Sequence, residues 1–385
     1  MKINKYNSLF LVMLIALTGF FSSCSDDEDV LQSKSAKIHY VRLVNPEKAD
    51  SVLTAGFLAN RVAIMGENLG GATEVWFNDQ QADLLPTFVT NSSIITVIPE
   101  KTPEVVNNKI AVVFGIGDTL FYDFPIEINA PVLSSMVSEY VQVGEVATIR
   151  GNFFFEPIKV TFAGGVEGIV ASPVKDPRVL EVIVPEGAET GPITVTTNFG
   201  ETVSAFWLYD NRNIFFGMEN DPFIGWWGKD LIVDATDPLS INGNFGRFTG
   251  SVGNWGWTEI FGGPESSIGA LTKEFVPEDA ILNPSEYNFK FEVNTIKPFS
   301  GNVIKILFGH VAEPDPAWGD INPYQWTSPL DTEGKWQTIT ISFDAIVEPG
   351  LAVSEDGYGF KFWFHGAGDL NADMAFDNFR VVPKE

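Results

Sequence analysis

Cysteine, histidine and positive charge are all scarce in this chain of 385 residues. The single cysteine, Cys24, excludes a disulfide within the chain. The three histidines, His39, His310 and His365, are isolated, and no Cys/His zinc pattern is present. H-E-x-x-H, G-x-S-x-G and Walker sequences are also missing. Zinc-hydrolase, serine-hydrolase and P-loop chemistry are therefore not indicated.

Lysine and arginine number 24 against 50 aspartates and glutamates, which gives a formal net charge of −26 at pH 7. Such a chain repels phosphate backbones, anionic lipid head groups and polyanionic glycans. We therefore predict no nucleic-acid partner and favour neutral ligands. Acidity also keeps a secreted protein soluble, and this simpler explanation is compatible with the first. Hydrophobic residues make up 45% of the chain and charged residues only 19%, which predicts packed cores rather than disorder.

Long apolar runs are also lacking, apart from one near the N-terminus. The segment LFLVMLIAL, Leu9–Leu17, follows two lysines and is too short for a comfortable transmembrane helix. Its layout is that of a signal peptide. Ser22 and Ser23 directly before Cys24 resemble a bacterial lipobox, in which the cysteine is lipidated and begins the mature chain. We predict a lipoprotein signal peptide at 1–23 and lipidation at Cys24; the alternative is a plain secretory signal with an incidental cysteine.

An acidic run, SDDED, follows Cys24 directly. It predicts a flexible acidic tether over 24–37, and a solvated tether is its simplest explanation. The run also resembles the signal that sends lipoproteins of certain Gram-negative gut-type bacteria to the outside of the outer membrane. This resemblance implies a protein that is lipid-anchored in the outer membrane, faces the cell exterior and touches the membrane only through its anchor.

Two segments of the chain repeat each other. VAIMGENLGGATEVWFND, followed by SSIITVIPE, is matched about 85 residues later by ATIRGNFFFEPIKVTFAGG, followed by RVLEVIVPE, so that Gly66 corresponds to Gly151 and Phe77 to Phe162. Short runs of β-branched and aromatic residues between Gly, Asn and Pro predict antiparallel β-sandwiches. The repeated motifs resemble the IPT/TIG branch of the immunoglobulin-like family. We predict two such domains, at 38–129 and 130–210, which serve as spacers.

The remaining segment, 211–385, holds eight of the ten tryptophans. Its strands alternate apolar and polar residues, as in YNFKFEVN, GKWQTITISFD and GYGFKFWFHG, which predicts one buried and one solvent-exposed face. The chain closes on MAFDNFRVV, with a predicted bulge at Asp377 and Asn378. GKWQTITISFD and AFDNFRVV resemble jelly-roll carbohydrate-binding modules. The predicted fold class is therefore all-β, with two tandem Ig-like (IPT/TIG) β-sandwiches followed by a jelly-roll β-sandwich.

Several aromatic residues of this segment lie among glycines and other turn-forming residues instead of on periodic strands. Such rings are easily offered to a partner, so we predict that they stack on sugars, although each could instead be structural. Trp363 joins them because it shares the polar face of its strand with Lys361 and His365. The candidate glycan-binding residues are Trp226, Trp227, Trp255, Trp257, Trp318, Tyr324, Trp326, Trp363 and Asn254. Asn220, Asp320, Asn322 and Gln325 are further candidates to read sugar hydroxyls.

Asp377 near the chain end, with Glu219 or Asp221, could hold a structural calcium ion, as in some jelly-roll modules. The alternative is an aspartate that caps a turn. No other cofactor is indicated.

By architecture, the whole chain resembles the cell-surface glycan-binding proteins of polysaccharide-utilisation systems. This resemblance implies non-catalytic capture of a neutral plant polysaccharide, such as xyloglucan or another β-glucan or hemicellulose, for hydrolase and import machinery in the outer membrane. Two alternatives stay open. One is a glycoside hydrolase or lyase on a jelly roll, which needs a pair of carboxylates across a cleft. The other is an adhesin that binds a protein through exposed aromatics.

Overall fold

The computed structural model describes residues 36–45, 47, 51–115, 117–219, 228–310, 323–327 and 329–384. The chain divides into two compact units, Met1–Glu127 and Ile128–Glu385. The predicted second and third domains both lie in the second unit. Across the described ranges, no helix has the length and apolar character needed to cross a membrane.

The first unit is built from short antiparallel strands in two four-stranded sheets, with orders β2-β1-β4-β7 and β6-β5-β8-β9, and one small parallel pair, β3 with β10. Buried and partly exposed residues alternate along strands such as Lys109–Phe114, and the buried set, which includes Val62, Val75 and Ile110, forms the core. The strands are β1 (Lys37–Leu43), β2 (Val52–Leu53), β3 (Gly56–Phe57), β4 (Arg61–Glu67), β5 (Ala72–Phe77), β6 (Gln80–Ala82), β7 (Ser93–Val97), β8 (Lys109–Phe114), β9 (Thr119–Asp123) and β10 (Ile126–Glu127).

The second unit begins with a sandwich, called here the second sandwich, whose seven strands follow the order β11-β12-β15-β14-β13-β16-β17. Its core includes Ile149, Phe162 and Val195. The repeat noticed in the sequence has a structural basis, since Gly66 and Gly151 leave room for the carbonyl oxygens of Lys37 and Val132 on the neighbouring strand. The strands are β11 (Val132–Met136), β12 (Val146–Asn152), β13 (Ile158–Thr161), β14 (Glu167–Val170), β15 (Val179–Ile183), β16 (Gly191–Thr197) and β17 (Gly200–Leu208).

The rest of the second unit is called here the third domain, and its described strands form two antiparallel sheets. One has the order β19-β20-β27-β22-β25, with β18 paired to β27, and the other β21-β26-β23-β24. Phenylalanines from both sheets meet in the core, as the predicted alternation requires; the Phe291 ring lies 5.5 Å from Phe362 and 5.3 Å from Phe379. The strands are β18 (Ile214–Phe216), β19 (Ile232–Val233), β20 (Phe245–Val252), β21 (Thr258–Gly263), β22 (Tyr287–Thr295), β23 (Ile304–Gly309), β24 (Tyr324–Trp326), β25 (Gln337–Ser342), β26 (Gly359–Phe364) and β27 (Leu370–Pro383).

Two further features of the third domain are a bulge on β27 and a pair of short helices. The predicted bulge on β27 is confirmed. The register between β22 and β27 shifts beside Asp377, and Asn378 adopts a positive φ of 52°. Two helices, α1 (Glu265–Phe275) and α2 (Glu278–Leu282), lie between β21 and β22 in the sequence. Gly269 lets α1 approach the carbonyl of Asp356 closely.

The prediction that the polar face of β22 is exposed to solvent is wrong. Glu292 is 0% exposed, and Lys290 is also buried. Glu139 of the second sandwich accepts hydrogen bonds at 2.6 Å from both Lys290 Nζ and Arg380 Nη2, and the same Arg380 nitrogen donates to Glu292 at 2.9 Å. The polar side chains are therefore covered by the second sandwich, and buried charge is tolerated there because it is paired and hydrogen-bonded.

Candidate functional site

Two of the predicted tryptophans lie on the turn between β20 and β21 and are well exposed. Trp255 presents 59% and Trp257 47% of its surface to solvent. The turn is closed by a hydrogen bond from the Gly256 amide to the Gly253 carbonyl at 2.7 Å. Trp255 adopts a φ of 57°, a conformation uncommon for a bulky residue, and its amide donates to the Gly366 carbonyl at 2.7 Å. The turn is thus held in place by the strand end beside it.

Asn254 fixes the same turn through both its backbone and its side chain. Its amide donates to Asp369 Oδ1, and its own Oδ1 accepts from the Gly368 amide, each at 2.8 Å. Its side-chain oxygen is therefore engaged in positioning the turn. The exposed amide nitrogen is the group of Asn254 that can donate to a ligand.

His365, at the end of β26, joins the two exposed tryptophans. Its ring centre lies 4.9 Å from that of Trp257 and 5.6 Å from that of Trp255, with interplanar angles of 50° and 80°. We call Trp255, Trp257 and His365 the aromatic platform. His365 was not among the predicted glycan-binding residues, although its position two residues after Trp363 on the same strand face was the signal for it.

Lys305 sets the state of the histidine ring. Its Nζ lies 3.3 Å from His365 Nδ1, and because a lysine ammonium can only donate, Nδ1 accepts and the ring proton lies on Nε2. Burial, and then the nearby Lys305 charge, lower the pKa of His365 below its ordinary value. The imidazole is therefore neutral at pH 7, and its Nε2–H remains a hydrogen-bond donor.

Trp257 is held from below by charged groups of the sheet. Its indole Nε1 donates to the Glu259 carboxylate, and the Lys361 ammonium lies 4.9 Å from the centre of its ring. Lys361 is only 3% exposed, and its Nζ is 3.5 Å from Glu259 Oε1. The ring consequently has little rotational freedom to lose when a ligand stacks on it.

The prediction that Trp363 offers its ring to a ligand is wrong, because Trp363 is only 1% exposed. Its side chain does lie on the outer face of the sheet, as the alternation indicated, but so do Lys361 and Leu307, and both are buried too. The Trp363 ring lies 5.6 Å from Trp257, tilted by 34°, so that it supports the platform from beneath.

The predicted wall at Trp318–Trp326 is corrected in part. Trp326 is 6% exposed and packs 5.4 Å from Phe291 and 5.3 Å from Phe299, so it belongs to the core. This is the consequence of β24 pairing with β23, which turns Trp326 inward, and Tyr324 also packs against the core. Seven predicted residues fall outside the described residues: Trp226, Trp227, Trp318, Asn220, Asp221, Asp320 and Asn322.

Gln325 lies on the other side of the same strand and is exposed. It is paired in register with Lys305, and Lys305 is paired with Trp363. An amide and an ammonium therefore lie in one row beside the aromatic platform, where both can donate hydrogen bonds to hydroxyl groups of a ligand.

The carboxylates proposed for calcium lie in one region of the third domain. Asp377 is 1% exposed, and among the described residues its Oδ2 accepts no hydrogen bond. Burial, and then the nearby carboxylates of Glu292 and Glu219, raise the pKa of Asp377 well above its ordinary value. The described residues contain no group of three His, Cys, Asp or Glu side chains that could hold a metal, so calcium here would need backbone or amide oxygens as well.

Comparison with known proteins shows which family the chain belongs to. Residues 208–383 match the family model described as the surface glycan-binding protein B xyloglucan binding domain. A protein of Bacteroides ovatus described as IPT/TIG domain-containing is 30% identical and is aligned over 98% of both chains. This chain belongs to the IPT/TIG-containing surface glycan-binding proteins. These are non-catalytic proteins that bind polysaccharide at the cell surface.

The crystal structure of another protein has a similar fold. The surface glycan-binding protein of Prevotella bryantii has a TM-score of 0.66 at 22% sequence identity, over 91% of this chain and 99% of that one. The surface glycan-binding protein from a complex xyloglucan utilisation locus in Bacteroides uniformis has a TM-score of 0.49 at 19% identity, over 90% of this chain and 99% of that one.

Proposed function

We propose that the third domain captures a neutral β-glucan of the xyloglucan type, and that the aromatic platform is its contact surface. The observation that carries the proposal is the exposure of Trp255 and Trp257 on a turn whose backbone is fixed by Asn254 and Asp369. The description of the matching family model, which names xyloglucan, supports the choice of glycan. The formal net charge of −26 supports a neutral polymer.

Stacking on this platform gives weak binding to each site. A pyranose face that covers about 40–50 Å² of ring contributes about 1 kcal/mol. Two or three stacks with a few hydrogen bonds amount to about −4 to −5 kcal/mol, which corresponds to a Kd from about 1 mM to about 0.2 mM. Such affinity suffices for many anchored copies that meet one repeating polymer, since the second contact is intramolecular.

The test is affinity electrophoresis of the soluble chain in gels that contain xyloglucan, mixed-linkage β-glucan, xylan or mannan. We expect the strongest retardation by xyloglucan, a loss of about fivefold in affinity for Trp257→Ala, and no new reducing ends. Leu282→Ala is a matched control, because Leu282 is an exposed apolar residue of the same domain at 65% exposure. Parent-like retardation of both Trp255→Ala and Trp257→Ala would refute the proposed platform.

The anchor is the second part of the proposal. A lipid on Cys24, with the acidic tether over 24–37, would hold the protein on the outer face of the outer membrane and deliver the glycan to hydrolase and import machinery there. Cys24→Ser should abolish labelling with a radioactive fatty acid and release the protein from the membrane fraction. Protease added to whole cells should digest the anchored parent; full protection of the parent would contradict the outward orientation.

A further inference from the structure

The first unit carries an aromatic row of its own on the outer face of the sheet β6-β5-β8-β9. Trp76 is paired in register with Gln81 on one side and with Ala111 on the other, and Ala111 is paired with Phe121. Residues paired in this way lie on one face of a sheet. The opposite face holds the buried Val75 and its neighbours in the core, so this row faces outward. Phe121 is 60% exposed.

The spacing of the two rings matches an extended polysaccharide. Trp76 and Phe121 lie two strands apart, and neighbouring strands are separated by about 4.8 Å, so their attachment points are about 10 Å apart. This is the length of two sugars in an extended β-1,4-linked chain, after which the same ring face recurs. Ala111, between them, has no side chain large enough to interrupt a polymer that crosses the strands.

Trp76 is fixed before any ligand arrives. Its Nε1 donates to Glu74 Oε2 at 2.8 Å, two residues earlier on the same strand and face. The indole is half-buried, so part of its surface is open to solvent. A ring held in this way loses little side-chain entropy on stacking.

Polar groups flank the aromatic row on both sides. On one side of it, Glu74, Val113 and Thr119 are paired in register across three strands. On the other side, Lys109 is paired with Asp123 and forms an ion pair with it. Hydroxyl, amide and carboxylate groups beside two rings suit the edge of a sugar. A protein partner would require a broader apolar patch than two rings and an alanine, and the net charge of −26 disfavours a polyanion.

We propose that this face of the first unit is a second glycan-contact surface, which binds a neutral β-1,4-linked glycan across Trp76, Ala111 and Phe121. It shares its ligand class with the proposed function but depends on none of the same residues. The N-terminal sandwich is then a binding module as well as a spacer.

The test measures how many equivalents of a xyloglucan oligosaccharide the full chain binds. We compare the parent with Trp76→Ala/Phe121→Ala and with Trp255→Ala/Trp257→Ala, and we measure retardation of each in xyloglucan gels. The parent should bind two equivalents and each double variant one. Loss of the Trp76 and Phe121 rings should also weaken retardation by about fivefold or more. Ile169→Ala, an exposed apolar residue of another sheet at 69% exposure, is the control.

The outcomes separate the two proposals. One equivalent on the parent, lost in Trp255→Ala/Trp257→Ala and kept in Trp76→Ala/Phe121→Ala, would overturn the second surface and leave the platform intact. The reverse loss would overturn the platform alone. Trp76→Phe, which keeps a ring, should restore binding, and Phe121→Ala on the exposed edge strand tests the surface even if Trp76→Ala does not fold.

Discussion

The imidazole of His365 lies 4.9 Å from the indole of Trp257 and 5.6 Å from the indole of Trp255. One histidine, directly after the last residue of β26, thus contacts both exposed tryptophans of the β20–β21 turn. The contact joins a turn to a strand end and combines three rings with two polar neighbours, Lys305 and Gln325, in one surface.

Binding should depend on pH through His365. Because its pKa is lowered, the ring stays neutral until the pH falls below the ordinary histidine value of about 6.5. Protonation would then turn Nδ1 into a donor 3.3 Å from the Lys305 ammonium, and the two like charges would push the ring out of the platform. Glycan affinity, measured by titration calorimetry, should be constant from about pH 8 to 6.5 and weaken at lower pH.

The lowered pKa of His365 also determines the direction in which folding stability changes with pH. A histidine whose pKa is lower in the folded state binds fewer protons folded than unfolded, so stability falls as the pH drops below about 6.5. His365→Gln keeps an acceptor for Lys305 but does not titrate, and its affinity should not change with pH. Identical pH profiles for the parent and His365→Gln would exclude this assignment.

Glu259 should act as a positioning residue for Trp257. Glu259→Ala removes both the acceptor of the indole N–H and the carboxylate beside the buried Lys361. We expect a loss of about 1–2 kcal/mol in the free energy of unfolding, below the range for fully buried pairs because Glu259 is partly exposed. Glycan affinity should fall together with a change in Trp257 fluorescence.

Glu259→Gln retains the acceptor, so its affinity should recover most of the parent value while its stability remains reduced. Glu274→Gln, on the exposed side of α1, is the control for loss of one surface carboxylate. Unchanged affinity and fluorescence in Glu259→Ala would show that Trp257 needs no such anchor.

Replacement of the buried Arg380 should destabilise the second unit more than replacement of an exposed arginine. Arg380 is 0% exposed and donates to both Glu139 and Glu292, so Arg380→Met leaves two buried carboxylates without their common partner. The free energy of unfolding, from urea denaturation, should fall by about 3–5 kcal/mol. Arg178→Met removes the exposed pair with Asp176 and should leave the free energy of unfolding nearly unchanged. Equal effects of the two substitutions would contradict the importance of burial.

Calcium should stabilise the third domain if Asp377 and Glu219 contribute to a site for it. A ligand that binds only the folded state adds about 2.7 kcal/mol at one hundred times its Kd. Thermal midpoints measured with calcium, with magnesium and with EDTA should therefore be highest with calcium, which accepts irregular oxygen sets more readily than magnesium. Asp377→Asn should remove the difference. Equal midpoints in calcium and EDTA would instead favour the turn-capping aspartate.

Local patterns were sufficient for the strands and for the exposed turn. The alternation in YNFKFEVN and GYGFKFWFHG predicted the phenylalanine core because side chains of a strand alternate between its two faces. Glycine at 256 predicted an open turn at Trp255 and Trp257 because glycine favours turns and gives its neighbours no side chain to pack against. Both features depend only on residues close together in the chain.

Burial of the opposite face could not be inferred in this way. Glu292 and Trp363 both lie on faces predicted to be polar and open, yet each is covered, Glu292 beside Glu139 of another sandwich and Trp363 beneath Trp257 of another strand. The strand period states which residues share a face, but what covers that face depends on contacts between residues far apart in sequence. The same holds for the row of Trp76, Ala111 and Phe121, which only the pairing of three strands brings together. The chain itself therefore specified the rings and the strands that carry them, and strand register and domain packing decided which rings reach solvent and which neighbours hold them.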